Sequence, residues 1–332
     1  MPAEHDFGQG FNILAVAQAG RLQYEAILLA ASLRATNPDF PGKLFVAEPQ
    51  PGPLWPDDPR MDLAPRALLE RLGAVILPFH STTFGADYPH GNKIEALTAL
   101  PEAPFLFLDS DTLITGPFGS VTFDFARPSA SMRREGSWPV IELYSPGYSA
   151  IWRALYHRFG LDFASSLDLS QPDEYWQRYL YFNAGWFFHE SPAVFGGRYL
   201  DYARSVRDRP PPELECQPLN PWLDQVVLPL VIHSLGGGRP GPGLAGLDGD
   251  VTCHWRVLPL AYARESDRVI GVLEEIAALP DVKAVLHTYP AFRKMIYQGQ
   301  GRQVRAMFDR TALPRREQAI RNAIKREGLW LR

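Results

Sequence analysis

Short apolar runs alternate with longer segments in which apolar residues recur every three or four positions. Residues 11–19, 43–47, 74–78 and 105–108 form the apolar runs, and the helical spacing covers 22–35 and 65–72. A strand–helix alternation of this kind is typical of a mostly parallel sheet joined by right-handed crossovers. We therefore predict an α/β fold, with a mostly parallel central sheet flanked by helices.

The second half of the chain is less regular. We predict helices at 151–159, 174–180, 192–206 and 222–235, the last kinked or divided by Pro229. Strands are predicted at 181–188 and 255–258, and a third short apolar run at 284–286 is interpreted as a strand that leads into His287. Asn183 and Gly185 interrupt an otherwise aromatic strand, which indicates a bulge or a close approach of the backbone to a ligand.

A pair of carboxylates follows the apolar run 105–108, in the order Asp109, Ser110, Asp111. Ligands of open α/β sheets bind at the carboxyl ends of the strands, and two carboxylates one residue apart can bind one hard cation. A divalent ion held there could carry a diphosphate. For this motif taken alone, the alternative is an ordinary loop in which the two aspartates cap the next turn.

Lys93 lies near the start of a predicted helix at 91–97 that leads into this strand. The positive end of a helix favours anions, so a lysine there is unfavourable unless it serves another purpose. Lys93 could therefore help to bind a phosphate or a nucleotide. A solvated surface lysine remains the alternative.

Composition narrows the class of protein. The 332 residues are 46% hydrophobic and 21% charged, with a formal net charge of −4, which gives no electrostatic reason to expect a nucleic-acid partner. The two cysteines have no metal-type spacing, the first residues lack a signal-peptide pattern, and no apolar run is long enough to span a bilayer. A cytoplasmic protein is the expectation.

The last segment, 313–332, reads as a basic amphipathic helix. It could lie on the inner, anionic face of a membrane and make a weak peripheral contact there. Alternatively, it packs Ile320, Ile324 and Trp330 onto the sheet domain, which is the prediction we prefer. The preceding residues, 1–312, are predicted to form one domain, with a nucleotide-binding half at about 11–118 and an acceptor or sugar half at about 119–312.

Five separated motifs occur in order: N-K-I-E-A-L, F-L-F-L-D-S-D-T, Y-F-N-A-G, L-D-Q and V-L-H-T-Y-P. Together they resemble the nucleotide-diphospho-sugar glycosyltransferases of the Rossmann-like GT-A fold. The resemblance is closest to the retaining family that contains glycogenin and the bacterial lipopolysaccharide galactosyltransferases, and it covers about 11–294. It implies transfer of a sugar from a nucleotide-diphosphate donor, conventionally a UDP-sugar, to a carbohydrate, lipid-linked or protein acceptor.

The resemblance also implies roles for individual residues. Asp109 and Asp111, with Ser110 between them, and His287 would bind Mn²⁺, or Mg²⁺ less well because imidazole is softer than oxygen. The remaining roles are donor-sugar contacts by Asn183 and Asp224, a position beside the anomeric carbon for Gln225, and neutralisation of the diphosphate by Lys93, Arg293 or Lys294.

The chain departs from the family pattern at two places. Gln18 and its neighbours replace the acidic and Asn residues that read the nucleobase, and Arg293-Lys294-Met295 replaces the usual Lys-Pro-Trp. The donor base, the donor sugar and the acceptor are therefore left open. Two other classes are considered: a haloacid-dehalogenase-like phosphatase, which the D-S-D-T-L motif resembles, and a nucleotide-sugar binding protein without turnover.

Overall fold

A five-stranded sheet forms the centre of the protein. The computed structural model describes residues 10–133 and 138–331. The strands of the sheet are β1 (Asn12–Val16), β2 (Leu44–Pro49), β3 (Ala74–Phe79), β4 (Phe105–Leu108) and β6 (Trp186–His189). They lie in the order β3-β2-β1-β4-β6. Every neighbouring pair is parallel except β4 with the edge strand β6. The predicted α/β fold with a mostly parallel central sheet is confirmed.

Two further strands pair on their own, antiparallel: β5 (Thr112–Ile114) and β7 (Thr252–His254). The helices in chain order are α1 (Arg21–Thr36), α2 (Leu63–Arg71), α3 (Asn92–Ala96), α4 (Tyr148–Arg158), α5 (Pro192–Asp208), α6 (Leu223–Ser234), α7 (Leu258–Arg264), α8 (Asp267–Ala278), α9 (Pro280–Leu286), α10 (Pro290–Phe292), α11 (Gln300–Ala306) and α12 (Glu317–Arg326). Short 3-10 turns and one π turn join several of them.

Both faces of the sheet are covered, which explains why the strands are continuously apolar. Leu106 and Leu108 of β4 belong to the core that contains α1, α8 and α9. Phe105 and Phe107 belong to the opposite core, with α5 and α6. Successive side chains of a strand point to opposite faces, so a strand covered on both faces needs apolar residues throughout.

The aromatic segment 181–188 was predicted to be one strand, but its first residues do not form a strand. Its first residues turn, because the Asn183 Oδ1 accepts a hydrogen bond from the Gly185 N–H at 2.8 Å and Ala184 has a positive φ of 57°. The strand begins only at Trp186. Residues 183–185 do interrupt the aromatic run, but they form a turn before the strand and not a bulge within it, and the length of the strand was overestimated.

Three other predicted elements differ from the structure. The strand expected at 255–258 lies earlier, as β7, and the apolar run 284–286 is the end of helix α9 and not a strand. The helix expected at 174–180 is a 3-10 turn at Trp176–Arg178. The runs at 255–258 and 284–286 are short and apolar, and such runs have no clear period. Helix α6, for which a kink or a division at Pro229 was predicted, runs through this residue as one element.

The C-terminal helix α12 packs on the domain. Ile320 and Ile324 are buried in the same core as α1, and Trp330 packs against it half-buried. Glu317 at the start of α12 forms ion pairs with Arg256 and Arg264. Across the part of the chain that the structure describes, no helix is both long enough and apolar enough to cross a membrane.

Candidate functional site

Two aspartates and a histidine meet at the carboxyl end of β4. Asp109 and Asp111 follow this strand directly, and the pairing of β5 with β7 places His254 opposite Thr112. The His254 Nε2 lies 3.1 Å from the Asp111 Oδ1 and 3.7 Å from the Asp109 Oδ2. One ligating atom of each of the three residues lies within 4.8 Å of the others. This spacing is suitable for binding a single metal ion.

The structure brings together two of the three predicted metal ligands and places His254 where His287 was expected. His287 lies exposed at the end of α9, with its ring 5.5 Å from the ring of Tyr297. Both histidines follow a short apolar run, so the local pattern does not separate them. His254 is distinguished by the antiparallel partner of its strand, which the sequence does not reveal.

The charges of the three side chains depend on each other. Burial by itself lowers the pKa of His254, but attraction and hydrogen bonding to Asp111, with attraction to Asp109, outweigh it and raise the pKa. Burial raises the pKa of Asp111, but attraction and hydrogen bonding to His254, with attraction to Arg21 and Lys93, outweigh it and lower the pKa. The imidazole of His254 and the carboxylate of Asp111 therefore favour each other's charged forms.

The turn before β6 supports this group from behind. The Asp109 N–H donates to the carbonyl of Gly185 at 2.9 Å. A Cβ atom on Gly185 would lie 2.3 Å from the Nδ1 of His254, closer than atoms can approach. Asn183 fastens the turn through its side-chain bonds to the Gly185 N–H and the Arg133 carbonyl. The Y-F-N-A-G motif therefore lies against the acidic group, with glycine required by the approach of His254.

Lys93 is buried and bridges two aspartates. Its Nζ lies 2.9 Å from the Asp109 Oδ1 and 3.3 Å from the Asp224 Oδ2, above the ring of Phe107. Burial lowers the pKa of Lys93, but attraction to the two carboxylates outweighs it, and the pKa is raised. Lys93 is therefore a charged member of the site, and the alternative of a solvated surface lysine is wrong.

Asp224 and Gln225 begin helix α6. Asp224 is buried, and the hydroxyl of Tyr88 donates to its Oδ1 at 2.8 Å. The hydroxyl of Tyr181 donates to the Gln225 Oε1, also at 2.8 Å. Lys93 thus links the predicted sugar-binding residue Asp224 to the predicted metal ligand Asp109.

A buried ion pair that the sequence analysis missed stands behind Ser110. Glu25 is fully buried, and its carboxylate lies 2.6 Å from the Arg21 Nη1 and accepts a hydrogen bond from the Ser110 hydroxyl at 3.3 Å. The same Nη1 donates to the carbonyl of Arg256, two residues after His254. Burial is the main cause that raises the pKa of Glu25. An i, i+4 pair on a predicted helix was visible in the sequence but usually lies on the surface.

A cavity of about 280 Å³ opens beside these groups. Its walls come from the end of β1, the start of α1, the segment around α3 and the acidic motif: Val16, Arg21, Leu22, Pro89, His90, Asn92, Lys93, Phe107, Asp109, Ser110 and Asp111. Gln18, which departs from the family pattern, accepts a hydrogen bond from the Asn92 side chain at 2.8 Å. The predicted phosphate residues Arg293 and Lys294 lie in a π turn and do not line this cavity.

The donor set and the charge fit a divalent cation. The carboxylates of Asp109 and Asp224 share the single ammonium group of Lys93, Arg21 pairs with Glu25, and Asp111 faces the imidazole of His254. Buried charges need partners, so the remaining negative charge favours an added cation. Two carboxylates and an imidazole suit Mn²⁺ better than they suit Mg²⁺, because Mg²⁺ prefers ligands that are all oxygen.

Several solved structures resemble the chain. The galactosyltransferase LgtC, crystallised with donor and acceptor sugar analogues, is 13% identical with a TM-score of 0.47, over 81% of this chain and 98% of that one. GlyE from Streptococcus pneumoniae TIGR4 is 13% identical with a TM-score of 0.44, over 86% and 65%. The bifunctional glycosyltransferase WbbM is 13% identical with a TM-score of 0.45, over 84% and 52%.

None of the curated proteins matches the sequence. The model of the Rhodobacterales glycosyltransferase domain, by contrast, matches residues 13–236, which is more than half of the chain. The match includes Asp109, Asp111, Asn183 and Asp224 and ends before His254. The expectation of a glycosyltransferase is confirmed, and the chain belongs to the Rhodobacterales glycosyltransferase domain family.

Proposed function

We propose that this protein transfers a sugar from a nucleotide-diphosphate donor to an acceptor hydroxyl, with a divalent ion held by Asp109, Asp111 and His254. The observation that carries the proposal is the meeting of these three side chains beside a 280 Å³ cavity whose wall includes Asp109 and Asp111. When bound, Mn²⁺ supplies positive charge that stabilises the departing diphosphate. His254 replaces His287 in this proposal because His287 lies outside the group.

The cavity supplies groups that suit the nucleotide and its phosphates. Lys93 and Arg21 are permanent cations in its wall, and Asn92 and His90 provide polar groups there. We assign neutralisation of the diphosphate to Lys93 and Arg21, in preference to Arg293 and Lys294, because only the first two line the cavity. Gln18 accepts a hydrogen bond from Asn92 and does not have the charge of the acidic residue that the resembled family uses there to read the nucleobase. A UDP-sugar is nevertheless the first donor to test, because it is the conventional donor of that family.

The donor sugar is assigned to Asn183, Asp224 and Gln225. Lys93 links Asp224 to Asp109, and Asn183 fastens the turn that lies against His254. In the reaction a bond forms between the acceptor oxygen and the anomeric carbon. The bond from that carbon to the phosphate oxygen breaks, its electron pair leaves with the nucleoside diphosphate, and the hydroxyl proton passes to the leaving diphosphate or to water.

The family match argues against a phosphatase. The D-S-D motif also follows the fourth strand in chain order, whereas the phosphatases that it resembles carry the motif on the first. The later acidic sequence Asp248-Gly249-Asp250 is a poor substitute for the terminal acidic motif of these phosphatases, and Asp248 accepts a hydrogen bond from the Ser131 hydroxyl at 2.7 Å. One measurement, the release of nucleoside diphosphate, distinguishes an enzyme from a nucleotide-sugar binding protein without turnover.

The test is Mn²⁺-dependent hydrolysis of a panel of UDP-sugars without acceptor, followed as release of UDP. Asp111→Asn should lower the rate about 10-fold or more, since replacing even a residue that only hydrogen-bonds to a metal ligand typically lowers activity by that factor. Asp250→Asn is the matched control, because Asp250 is an exposed aspartate 3.4 Å from Arg268. A rate in Asp111→Asn equal to that of the unchanged protein would show that the metal assignment is wrong.

A second experiment tests the assignment of the sugar residues. Asn183→Ala and Asp224→Ala should lower turnover while UDP binding stays nearly intact, because only the sugar loses hydrogen bonds. Thermal unfolding of both variants shows whether the fold is kept, since both side chains also hold the site together. Loss of UDP binding in a folded variant would contradict this map.

A further inference from the structure

A second cavity, also of about 280 Å³, lies next to Gln225. Among the residues that the structure describes, it shares none with the first cavity. Most of its wall comes from the segment 168–181, which supplies Asp168, Gln171, Trp176, Gln177, Tyr179 and Tyr181. Met132 and Arg239 complete the wall.

Two contacts connect this cavity to the residues assigned to the donor sugar. The hydroxyl of Tyr181, in its wall, donates to the Gln225 Oε1 at 2.8 Å. On another side, Met132 stands between two residues whose backbone carbonyls bind Asn183, one of them Ser131 at 2.9 Å from the Asn183 N. A molecule in the cavity is therefore bordered by the same segments that hold Asn183 and Gln225.

The wall of the cavity is fixed in place before any ligand binds. Arg239 donates to the carbonyls of Ser166 at 2.7 Å and Arg178 at 3.0 Å, so it ties together both ends of the loop between them. The Asp168 N–H donates to the same Arg178 carbonyl at 2.8 Å. Tyr179 is only 1% exposed. A preorganised wall lowers the cost of ordering side chains around a ligand.

The chemistry of the wall suits a sugar ring. The half-buried Trp176 provides a flat apolar surface for the C–H face of a pyranose, and the amides of Gln171 and Gln177 can donate to hydroxyls and accept from them. Asp168 and Arg239 carry opposite charges, so the wall as a whole is neutral. A sugar acid or a sugar phosphate would bring an uncompensated charge into this cavity.

We propose that this cavity is the acceptor site and that it takes a neutral hexopyranose unit, the terminal sugar of a glycan or glycoside. The proposal rests on the proposed function, because an acceptor is defined by the transfer reaction. The ring of Tyr175 lies 5.8 Å from that of Trp176 and is exposed, so the aromatic surface continues beyond the cavity. An acceptor longer than one sugar can extend along it.

The experiment is ligand-observed saturation-transfer NMR on the full chain without donor. The probes are the methyl β-glycosides of glucose, galactose and N-acetylglucosamine, with methyl β-glucuronide as the charged comparison. At least one neutral glycoside should bind, and Trp176→Ala should weaken its binding about 10-fold, since truncating a central aromatic anchor typically costs more than 1 kcal/mol. Gln177→Ala, at an exposed position, should weaken it without endangering the fold. Trp330→Ala, at a half-buried tryptophan of the C-terminal segment, is the matched control and should bind as the unchanged protein does.

The possible results separate the two proposals. If no neutral glycoside binds, if the glucuronide binds best, or if neither Trp176→Ala nor Gln177→Ala alters binding, the acceptor proposal is wrong. Hydrolysis of UDP-sugars by the unchanged protein is measured in parallel. Hydrolysis without glycoside binding contradicts only the acceptor site, whereas glycoside binding without donor binding or hydrolysis contradicts the proposed function.

Discussion

Lys93 is the residue on which the charge balance of the site most depends. It is 7% exposed, and its ammonium group is shared between Asp109 and Asp224. Such a group cannot be replaced by a neutral one without leaving carboxylates unpaired in a poorly solvated place. It thus connects the two halves of the candidate site, the proposed metal ligands and the residues assigned to the donor sugar.

Lys93→Met should lower the free energy of unfolding by about 3 kcal/mol, because it leaves two largely buried carboxylates without their cation. Saturating Mn²⁺ should recover part of the loss, since the ion neutralises Asp109. Denaturant unfolding with and without Mn²⁺ measures both effects. The control is Lys43→Met, at an exposed lysine just before β2, which should change stability little. Equal stability of the two variants would contradict a buried, charged Lys93.

Individual residues could be predicted from the sequence where a motif carries its own geometry. Asp109 and Asp111 are one residue apart after a buried strand, so their common direction followed from the chain. His254 could not be chosen over His287, because the choice depends on the pairing of β5 with β7 across 140 residues. Glu25 was missed for a similar reason: its burial and its contact with the Ser110 hydroxyl depend on residues that are distant in sequence.

At the scale of elements, the turn that precedes β6 connects the sheet to the site. Its Gly185 carbonyl receives the Asp109 N–H, and its α-carbon faces the ring of His254. The aromatic sequence around it predicted a longer strand, and the polar side chain of Asn183 prevents this by bonding locally to the backbone. The central strands and the long helices were predictable because their patterns are long or doubly buried.

Gly185→Ala should weaken Mn²⁺ binding about 10-fold or more, because the added methyl group must displace His254 or the turn. The matched control is Gly197→Ala within α5, where nothing lies within 4 Å of the added atom. That change should raise stability by about 0.5–1 kcal/mol, through the helix preference of alanine over glycine.

Both variants are compared by Mn²⁺ titration and thermal unfolding. If Gly185→Ala binds Mn²⁺ as tightly as Gly197→Ala does, the turn does not position His254.

At the scale of the whole molecule, the C-terminal helix is part of the domain. Its two isoleucines, Ile320 and Ile324, are buried in the core, and Glu317 pairs with Arg256, two residues after the proposed metal ligand His254. The apolar face that a membrane would need is therefore occupied. We expect no binding of the full chain to anionic vesicles in co-sedimentation.

Ile324→Ala should lower the free energy of unfolding by about 2–5 kcal/mol, the usual cost of truncating a buried isoleucine. Arg326→Ala, at an exposed position of the same helix, should have little effect. Denaturant unfolding of both variants tests the packing. A loss of vesicle binding in Arg326→Ala together with unchanged stability of Ile324→Ala would favour the membrane role instead.

The most direct test of the account is a thermal-shift titration with UDP-sugars, with and without Mn²⁺, on the unchanged protein and on His254→Ala and His287→Ala. A ligand at a hundredfold its dissociation constant stabilises by about 2.7 kcal/mol, or about 4 °C for a chain of this length. We predict a Mn²⁺-dependent shift in the unchanged protein and in His287→Ala, and none in His254→Ala at the same concentrations. A shift that survives in His254→Ala and disappears in His287→Ala would contradict the metal site described above.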